Sequence, residues 1–395
     1  MTVADTLRHE VAAAADRITA LSHALHSEPE LGFVEHRSAA RVAALLDAGG
    51  LAVETGVGGL ETAFTATAGS GPLTVVVCAE YDALPEVGHA CGHNVIAAAA
   101  VATGIALARV ADDIGITVRV VGTPAEEGGG GKILLMERGV FDGAHAAMMV
   151  HPSPREQVHM PCLAVSHLNV HYRGREAHAS SFPERGINAA DALTVAQVAI
   201  GLLRQHIRPT DRIHGIVTHG GAAPNIVPAA TAGRWYVRAA TLAQLAELEP
   251  RVRDCFEAGA RATGAGLEIS LESPPYSEMR TDADLVRHYR PAAEAAGRVF
   301  PDIPADQLVR EAGSTDMANV SLGIPTIHPM LGIECGGSSN HQPEFAAWCA
   351  RPDADRAAVE GGLAMALTVA SVAADSSLRE RLLASGGYTA GRSTA

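Results

Sequence analysis

The sequence predicts an α/β protein with a mostly parallel sheet, helices on both faces of that sheet, and an inserted ferredoxin-like α+β domain. Helix-like and strand-like segments alternate over residues 3–150, which is typical of this layered architecture. The run Leu73–Ala79 is rich in valine, as is usual for a strand buried on both faces. Residues 163–273 give the order strand, helix, strand, strand, helix, strand, which is the split βαβ pattern of ferredoxin-like domains.

The first domain opens with helices over residues 3–27 and 35–48, and the second helix ends at Gly49-Gly50 because glycine favours a helix stop. The elements that follow are, in order, strands 62–68 and 73–79, helix 94–110, strand 116–122, helix 132–138 and strand 146–150. A strand over 324–328 and a helix over 357–374 complete this domain. We therefore predict a first domain made of residues 1–162 and 274–395.

The inserted domain spans residues 163–273. Its expected elements are strand 164–172, helix 189–206, strands 213–219 and 231–240, helix 242–263 and strand 266–271. Pro274-Pro275 marks the exit, since proline ends regular elements. Ferredoxin-like layers have exposed edge strands that commonly pair between subunits, so we expect a homodimer formed through this domain.

Composition and charge exclude several classes of protein. The 395 residues are 47% hydrophobic and 19% charged, which excludes a disordered chain. Lys and Arg number 30 against 44 Asp and Glu, for a net charge of −14, and no basic stripe occurs, so we expect no nucleic-acid partner. Lys132 is the single lysine, and we interpret the preference for arginine as codon bias.

We expect neither a membrane partner nor export. The weakly polar stretch 95–108 is shorter than the roughly 18 residues of a membrane span and predicts a buried helix. The N-terminal helix lacks the apolar core of a signal peptide. Six scattered cysteines without a CxxC pair indicate reduced thiols, and these observations together predict a cytoplasmic protein.

Residues able to bind a metal or move a proton follow several of the predicted strands. Glu80 and Asp82 follow strand 73–79, Glu126-Glu127 follow strand 116–122, and His151 follows strand 146–150. Open α/β sheets place their sites at the carboxyl ends of strands, so we expect these side chains to lie together. Two further segments carry chemistry, Gly88-His-Ala-Cys-Gly-His-Asn94 and Gly336-Gly-Ser-Ser-Asn-His341.

Two of these segments indicate a metal ion. Cys91 and His93 flank one glycine, so a single turn can aim a thiolate and an imidazole at one ion, although a helix-capping loop with an incidental buried cysteine explains the pair equally well. Adjacent Glu126 and Glu127 repel each other in an apolar setting unless a cation is present or one carboxyl is protonated. The glycines after them are not followed by GK[ST] in Walker spacing, which argues against a phosphate loop.

The combination of these motifs resembles a known family. GHACGHN, PAEEGGGG, the strand-end His151, GGAAPNIVP and GSSNH are similar to motifs of the two-metal amidohydrolases and peptidases that include aminoacylase, carboxypeptidase G, hippurate hydrolase and auxin-conjugate hydrolases. The resemblance covers nearly the whole chain. CGHN in place of CGHD, together with GSTDMANVS at 313–321, most resembles the branch that holds aminobenzoyl-glutamate hydrolase and β-alanyl-lysine dipeptidases.

The resemblance implies two divalent metal ions per subunit, Zn or Mn and possibly Co, in a catalytic domain whose insert acts as a lid and dimerisation domain. Glu126 matches the general base, and Asp82 matches an aspartate near the metals. Glu80 lies where the aminoacylase branch has a histidine ligand, and this departure leaves Glu80 unassigned. The implied metal ligands are Cys91, His93, Glu127, His151 and His341.

The resemblance also implies substrate contacts in the insert. His178 matches a histidine that, in dimeric relatives, reaches the other subunit and polarises the scissile carbonyl. Asn225 matches a substrate-binding asparagine, and Arg238 matches an arginine that binds the substrate carboxylate, although an ordinary solvent-facing strand arginine is the alternative for Arg238.

The implied reaction is hydrolysis of the amide bond of a small N-acyl amino acid or dipeptide. The metal ions activate a water molecule, and Glu126 accepts its proton and passes it to the leaving amine. Two other classes stay open: a hydrolase with Cys91 as nucleophile and His89 or His93 as base, and a non-catalytic binding protein that metal ions stabilise. The acyl group, the amine, the native metal and the role of His328 also stay open.

Overall fold

The computed structural model describes residues 1–304 and 312–391, and the chain forms two compact units. The first unit is Met1–Pro161 with Met279–Ala395, and the second is Cys162–Glu278. The sequence predicts that the insert ends at Pro274-Pro275, but the second unit continues to Glu278. Tyr276 stays with the second unit because it exchanges two backbone hydrogen bonds of 3.0 Å with Val165.

The N-terminal part of the first unit alternates helices and strands, as predicted. Its elements are α1 (Val3–Ser27), α2 (His36–Ala48), β1 (Ala52–Thr55), a 3₁₀ turn (Val57–Gly59), β2 (Phe64–Ala68), β3 (Leu73–Ala79), α3 (His93–Ala108), β4 (Ile116–Gly122), α4 (Gly131–Glu137), β5 (Ala146–Met148) and β6 (His151–Ser153). Strands β1 and β6 have four and three residues and are not predicted from the sequence.

The second unit has the predicted ferredoxin-like order of elements. These are β7 (Ala164–Arg173), a 3₁₀ turn (Pro183–Arg185), α5 (Ala189–Leu203), a 3₁₀ turn (Arg204–His206), β8 (Arg212–His219), β9 (Ala230–Ala239), α6 (Leu242–Thr263) and β10 (Gly266–Leu271). The strands form one antiparallel sheet in the order β10-β7-β9-β8. Both helices pack on this sheet around Trp235 and Phe256, so the unit has its own core.

The C-terminal part of the first unit is mainly helical. Its described elements are α7 (Ala283–Ala296), α8 (Met317–Gly323), β11 (Thr326–Ile327), β12 (Met330–Gly332), α9 (Pro343–Trp348), α10 (Pro352–Ala374) and α11 (Ser376–Ala384). Strand β11 extends the main sheet, whereas β12 pairs with β6 in a separate two-stranded sheet.

The main sheet of the first unit confirms the predicted α/β class. Its strand order is β1-β2-β4-β3-β5-β11. The pairs β4–β3, β3–β5 and β5–β11 are parallel, and the antiparallel pairs are confined to the edge formed by β1 and β2. A largely parallel sheet needs cover on both faces, since its strands are buried on both sides.

Side chains of β3 show how both faces are covered. Val75 and Val77 point to the core built by α1, α2, α3, α7 and α10, whereas Val76 and Cys78 point to the core built by α4 and α8. Neighbouring residues of a strand face opposite sides of the sheet. Since all four of these residues are fully buried, both faces of β3 are covered. The valine-rich run therefore forms the central strand.

Two apolar helices lie inside the larger core. Every residue of α3 from His93 to Leu107 is buried, as the alanine-rich stretch predicts. Helix α10 is the one helix of the described residues that is long and apolar enough to cross a membrane by length and composition alone. Most of α10 is buried inside the unit, which is typical of a core helix and makes it weak support for a membrane span.

Candidate metal centre

The site lies where three parallel strands of the first unit end. Strands β3 and β4 are in register with Ala79 opposite Gly122, and β5 runs parallel to β3 on its other side. The chain that leaves each strand carries the predicted residues at the same edge of the sheet, as in other open α/β sheets. They are Glu80 and Asp82 after β3, Glu126 and Glu127 after β4, and His151 after β5.

A tight turn presents Cys91 and His93. Gly92 between them has φ of +80°, and a Cβ at this position would lie 2.3 Å from Pro152 Cγ, so the turn requires glycine. His93 is the first residue of α3, and Cys91 Sγ lies 3.4 Å from His151 Nε2. The loop is therefore more than a helix cap, because it brings thiol and imidazole to a second histidine.

The five residues that the sequence predicts as metal ligands lie in one cluster, together with Glu126. His341, far along the chain, is brought there by a backbone hydrogen bond of 2.8 Å from its amide to the Ala90 carbonyl. Its Nε2 lies 3.4 Å from Glu127 Oε1. Within each of three sets of residues, the donor atoms all lie within 4.8 Å of one another. These sets are Cys91, His93 and His151; Cys91, Glu127 and His341; and His93, Glu126 and Glu127.

Asp82 orients two of these residues. Its Oδ1 lies 3.0 Å from His93 Nδ1, and its Oδ2 accepts a hydrogen bond of 2.9 Å from the Glu127 amide. A carboxylate on Nδ1 fixes the tautomer of a histidine and leaves the lone pair of Nε2 for a metal. His93 Nε2 has no hydrogen-bond partner among the described residues, and Glu80 Oε2 lies 3.4 Å away from it.

The donor set fits a divalent cation. Thiolate, imidazole and carboxylate are the ligands that zinc and manganese accept in proteins. Three buried atoms that face this cluster, Glu80 Oε2, His93 Nε2 and Glu127 Oε1, have no hydrogen-bond partner among the described residues. Acceptor atoms that face one another repel unless a proton or a cation lies between them, so a bound cation would resolve the arrangement.

Burial and like charge shift the pKa values in the cluster. Burial first, and then the charge of Glu127, raise the pKa of Glu126 well above its usual value. Burial opposes the charged form of His93, but Asp82 and Glu80 outweigh it and raise the pKa of His93 well above the usual value. The pKa of the Cys91 thiol is also raised well above its usual value, by burial and then by Glu127. A buried thiol with a raised pKa is a poor nucleophile, so the geometry does not favour the Cys91 hydrolase.

Lys132 forms a buried ion-pair cluster that its position in the sequence does not predict. The side chains of Lys132, Glu80 and Asp316 are all fully buried, and Lys132 Nζ lies 2.5 Å from Glu80 Oε1 and 2.7 Å from Asp316 Oδ1. Asp316 Oδ2 also accepts a 2.9 Å hydrogen bond from the Lys132 amide. Codon bias is therefore an insufficient account of the single lysine. The one sequence feature that places Lys132 near the site is its position directly after the glycine run that follows Glu127.

His328 and His89 lie beside the cluster without belonging to the donor sets. The His328 ring lies 5.6 Å from the His151 ring, and burial lowers the pKa of His328 to about 3. His89 stacks on His26 at 6.3 Å, and burial lowers the pKa of His89 to about 3 as well. Both rings are therefore neutral at pH 7.

The three predicted substrate contacts lie in the second unit. His178 forms a bridge with Ile226, and the Ala179 amide donates a 3.0 Å hydrogen bond to the Asn225 carbonyl, so His178 and Asn225 are neighbours. Arg173, the last residue of β7, pairs with Ala230, the first residue of β9; His178 comes after this pair in the chain and Asn225 comes before it.

Arg238 lies at the other end of strand β9. It is eight residues beyond Ala230 (238 − 230 = 8), a span of about 26 Å at the usual rise of a strand. Its Nε lies 3.3 Å from His214 Nε2, and burial lowers the pKa of its guanidinium group. Arg238 is therefore partly buried against its neighbours, unlike the solvent-facing strand arginine of the alternative interpretation.

Comparison with known proteins identifies the family. The sequence profile of peptidase family M20/M25/M40 matches residues 76–357, a span that contains the whole donor cluster and the second unit. The chain belongs to this family. The predicted resemblance is thereby confirmed, and this M20 family chain is a metal-dependent hydrolase of amide or peptide bonds.

Two named relatives illustrate the similarity in sequence. The chain is 36% identical over 374 residues to Xaa-Arg dipeptidase of Mus musculus, and the match covers 91% of this chain and 86% of the relative. It is 32% identical over 277 residues to one of the subunits of p-aminobenzoyl-glutamate hydrolase of Escherichia coli (strain K12), and this match covers 65% of this chain and 58% of that one.

Two solved structures share the fold at low identity. An aminobenzoyl-glutamate utilization protein from Klebsiella pneumoniae superposes with a TM-score of 0.72 at 20% identity, covering 91% of this chain and 98% of the other. A dinuclear metal-binding peptidase of the M20 family from Bacillus subtilis gives a TM-score of 0.64 at 21% identity, covering 91% and 99%.

Proposed function

We propose that this M20 family chain hydrolyses the amide bond of a dipeptide or small N-acyl amino acid, with Glu126 as the general base. The observation that carries the proposal is the environment of Glu126. Its carboxyl group is buried and lies 3.9 Å from His93 Nε2. The backbone next to Glu126 is held in place by the hydrogen bond from the Glu127 amide to Asp82. A buried carboxylate next to the proposed ligands His93 and Glu127 suits a base that acts on a water molecule at this site.

We propose that two divalent ions, Zn or Mn and possibly Co, bind to Cys91, His93, Glu127, His151 and His341. When bound, such ions supply Lewis-acid activation of water and of the substrate carbonyl. The thiol of Cys91 favours zinc among these metals, since soft ligands select it. A shared site is supported by the short distances within each donor set, since all its donor atoms lie within 4.8 Å of one another.

The residues of the chain account for the proton movements. Glu126 accepts a proton from the attacking water and returns it to the leaving amine. Asp82 keeps His93 Nδ1 protonated, so that the lone pair of His93 Nε2 stays available to bind a metal ion. His178 supplies a hydrogen bond to the carbonyl oxygen as it becomes negative.

The substrate class is proposed from the relatives and from the second unit. One relative is an Xaa-Arg dipeptidase and another belongs to a p-aminobenzoyl-glutamate hydrolase, and each name implies a substrate with a free carboxylate on its amine half. Arg238 and Asn225 offer a cation and an amide to such a carboxylate. They extend from opposite ends of β9, so one small carboxylate does not reach both within one copy of this unit.

We therefore propose a homodimer in which the second unit of each subunit serves the site of the other. Strand β8 is an edge of the sheet, and Ile216 and Val217 on it are exposed, which suits pairing with a second copy. All six cysteines are free and buried, which supports the further proposal of a cytoplasmic location.

The proposal is tested with metal-stripped protein. Hydrolysis of dipeptides with a C-terminal arginine or lysine, of aminobenzoyl-glutamate and of N-acetyl amino acids is followed after addition of Zn, Mn or Co. We expect metal-restored cleavage, and much faster cleavage of substrates with a free carboxylate than of their amides. Two equivalents of bound metal without turnover on any substrate would contradict the proposed substrate class. Failure to bind metal would contradict the proposed site.

A further inference from the structure

Glu35 is a fully buried carboxylate with an unusual partner. It is the N-cap residue of α2, but its side chain makes no capping hydrogen bond to that helix, whose residues are all described. Its Oε1 instead accepts a 2.8 Å hydrogen bond from the Ala125 amide, 90 residues away in the sequence. The side chain thus acts on the residue directly before Glu126.

The backbone around Glu126 is held on both sides by carboxylates. Glu35 accepts the amide hydrogen of Ala125, and Asp82 accepts that of Glu127. Ala125 has φ of +55°, in the left-handed region that an alanine rarely adopts. A residue in this conformation persists only where its surroundings enforce it, and the Glu35 carboxylate is one such constraint.

The turn that carries Glu35 also packs on the same loop. A Cβ on Gly32 would lie 2.9 Å from Ala125 Cβ, so the two backbones are in close contact. The ring of Phe33 lies against Gly129, where an added Cβ would be 2.7 Å from Phe33 Cε2. Residues 32–35 therefore pack against residues 125–129, and the hydrogen bond of Glu35 is a polar contact between these two segments.

A second hydrogen-bond chain fixes Glu35 itself. Its Oε2 accepts a 2.7 Å hydrogen bond from Thr62 Oγ1, and the Thr62 carbonyl accepts a 2.5 Å hydrogen bond from Tyr81 Oη. Tyr81 lies between Glu80 and Asp82 after β3. The network thus joins the segment after β3 to the segment after β4, which between them carry Asp82, Glu126 and Glu127.

We propose that Glu35 is a positioning residue that holds Glu126 in the orientation required for proton transfer. This inference rests on the proposed role of Glu126 as general base. Glu35 acts through the Ala125 amide and is not itself a member of the donor sets. Because general-base catalysis depends on the placement of the base to within a fraction of an ångström, loss of the Glu35 acceptor lowers kcat more than it raises KM.

Three variants test the proposal in the metal-loaded enzyme. Glu35→Met fills a similar volume without an acceptor, and we expect kcat to fall by about 100-fold with KM and bound metal nearly unchanged. Glu35→Gln keeps an acceptor for the Ala125 amide and a donor for Thr62, so we expect it to retain most of kcat. Glu30→Ala is the matched control, since Glu30 lies in the same turn but binds Ser38 and Arg37.

The outcomes separate this inference from the proposed function. Wild-type kcat in Glu35→Met, an equal loss in Glu30→Ala, or failure of Glu35→Gln to restore activity in folded, metal-loaded protein would each overturn the positioning role. Unfolding of Glu35→Met alone would also overturn it, because Glu35 would then be needed for folding. Full activity of Glu126→Gln would instead overturn the proposed base, whatever the Glu35 variants do.

Discussion

Lys132 Nζ lies 2.5 Å from Glu80 Oε1, and both side chains are excluded from solvent. Burial opposes a charged lysine, but Asp316 and Glu80 outweigh it and raise the pKa of Lys132 well above its usual value. Burial raises the pKa of Glu80, but Lys132, followed by His93 and His151, together outweigh burial and lower the pKa of that carboxyl. One buried cation therefore keeps an ionised carboxylate next to His93 in the donor cluster.

Replacement of Lys132 by methionine should destabilise the first unit. Glu80 and Asp316 would then have to keep unpaired buried charges or take up protons, and breaking a buried ion pair in this way costs about 3–5 kcal/mol. Urea denaturation of metal-free protein measures the loss. Arg173→Met is the matched control, because the Arg173–Glu268 pair has side chains 76% and 59% exposed and should contribute less than about 1 kcal/mol. Equal effects of the two substitutions would contradict the importance of the buried triad.

The adjacent residues Glu126 and Glu127 should respond differently to the same isosteric change. Glu126→Gln removes the proposed base, so we expect kcat to fall by about 100- to 10,000-fold while the protein still binds its metal. Glu127→Gln removes a proposed ligand, so we expect weaker metal binding. Metal content after dialysis, measured by atomic emission, together with kcat at saturating metal, separates the two effects. Loss of metal in Glu126→Gln with Glu127→Gln unaffected would reverse the two assignments.

The sequence predicts those parts of the site that are local in the chain. Cys91 with His93, and Glu126 with Glu127, form motifs within single turns, and valine-rich β3 and alanine-rich α3 show burial through their own composition. Lys132 with Asp316 is different, because the two residues are 184 positions apart and ordinary in their local context. Only the folded chain shows that they meet.

Two further differences also arise from contacts between residues that are far apart in the chain. Glu35 is 90 residues from Ala125 and lies within the predicted helix 35–48, so its local sequence gives no indication of the hydrogen bond that it makes. Pro274-Pro275 predicts the end of the insert because proline interrupts regular structure. A long-range backbone pairing between Tyr276 and Val165 keeps the next residues in the second unit.

The stability of the protein should depend on pH through Glu35. Burial first, and then the charge of Asp82, raise the pKa of Glu35 from 4.5 to about 7. A carboxyl whose pKa is raised in the folded state binds a proton more tightly there than in the unfolded chain. It therefore stabilises the fold fully below about pH 4.5, and this contribution is lost as the pH rises to about 7.

The effect is measured as a difference between wild type and Glu35→Gln. We expect the free energy of unfolding of the wild type, relative to the variant, to fall by about 3 kcal/mol between pH 4.5 and pH 8 in urea titrations of metal-free protein. Other titrating groups are common to both proteins and cancel. Glu30→Gln should show no such fall over this range, since the pKa of Glu30 is lowered from its usual value. A constant difference for Glu35→Gln across this range would contradict the raised pKa.

The proposed exchange of second units between subunits gives a test by complementation. If His178 serves the site of the partner subunit, a mixed dimer of Glu126→Gln and His178→Ala chains contains one site with both residues intact. Co-expressed and randomly paired chains should then recover about a quarter of wild-type activity, although each parent is nearly inactive. Mixing Glu126→Gln with Glu127→Gln is the control, because each site of that mixed dimer keeps one lesion in its own first unit. No recovery in the first mixture, with mixed dimers verified by a tag on one chain, would show that His178 acts within its own subunit or outside catalysis.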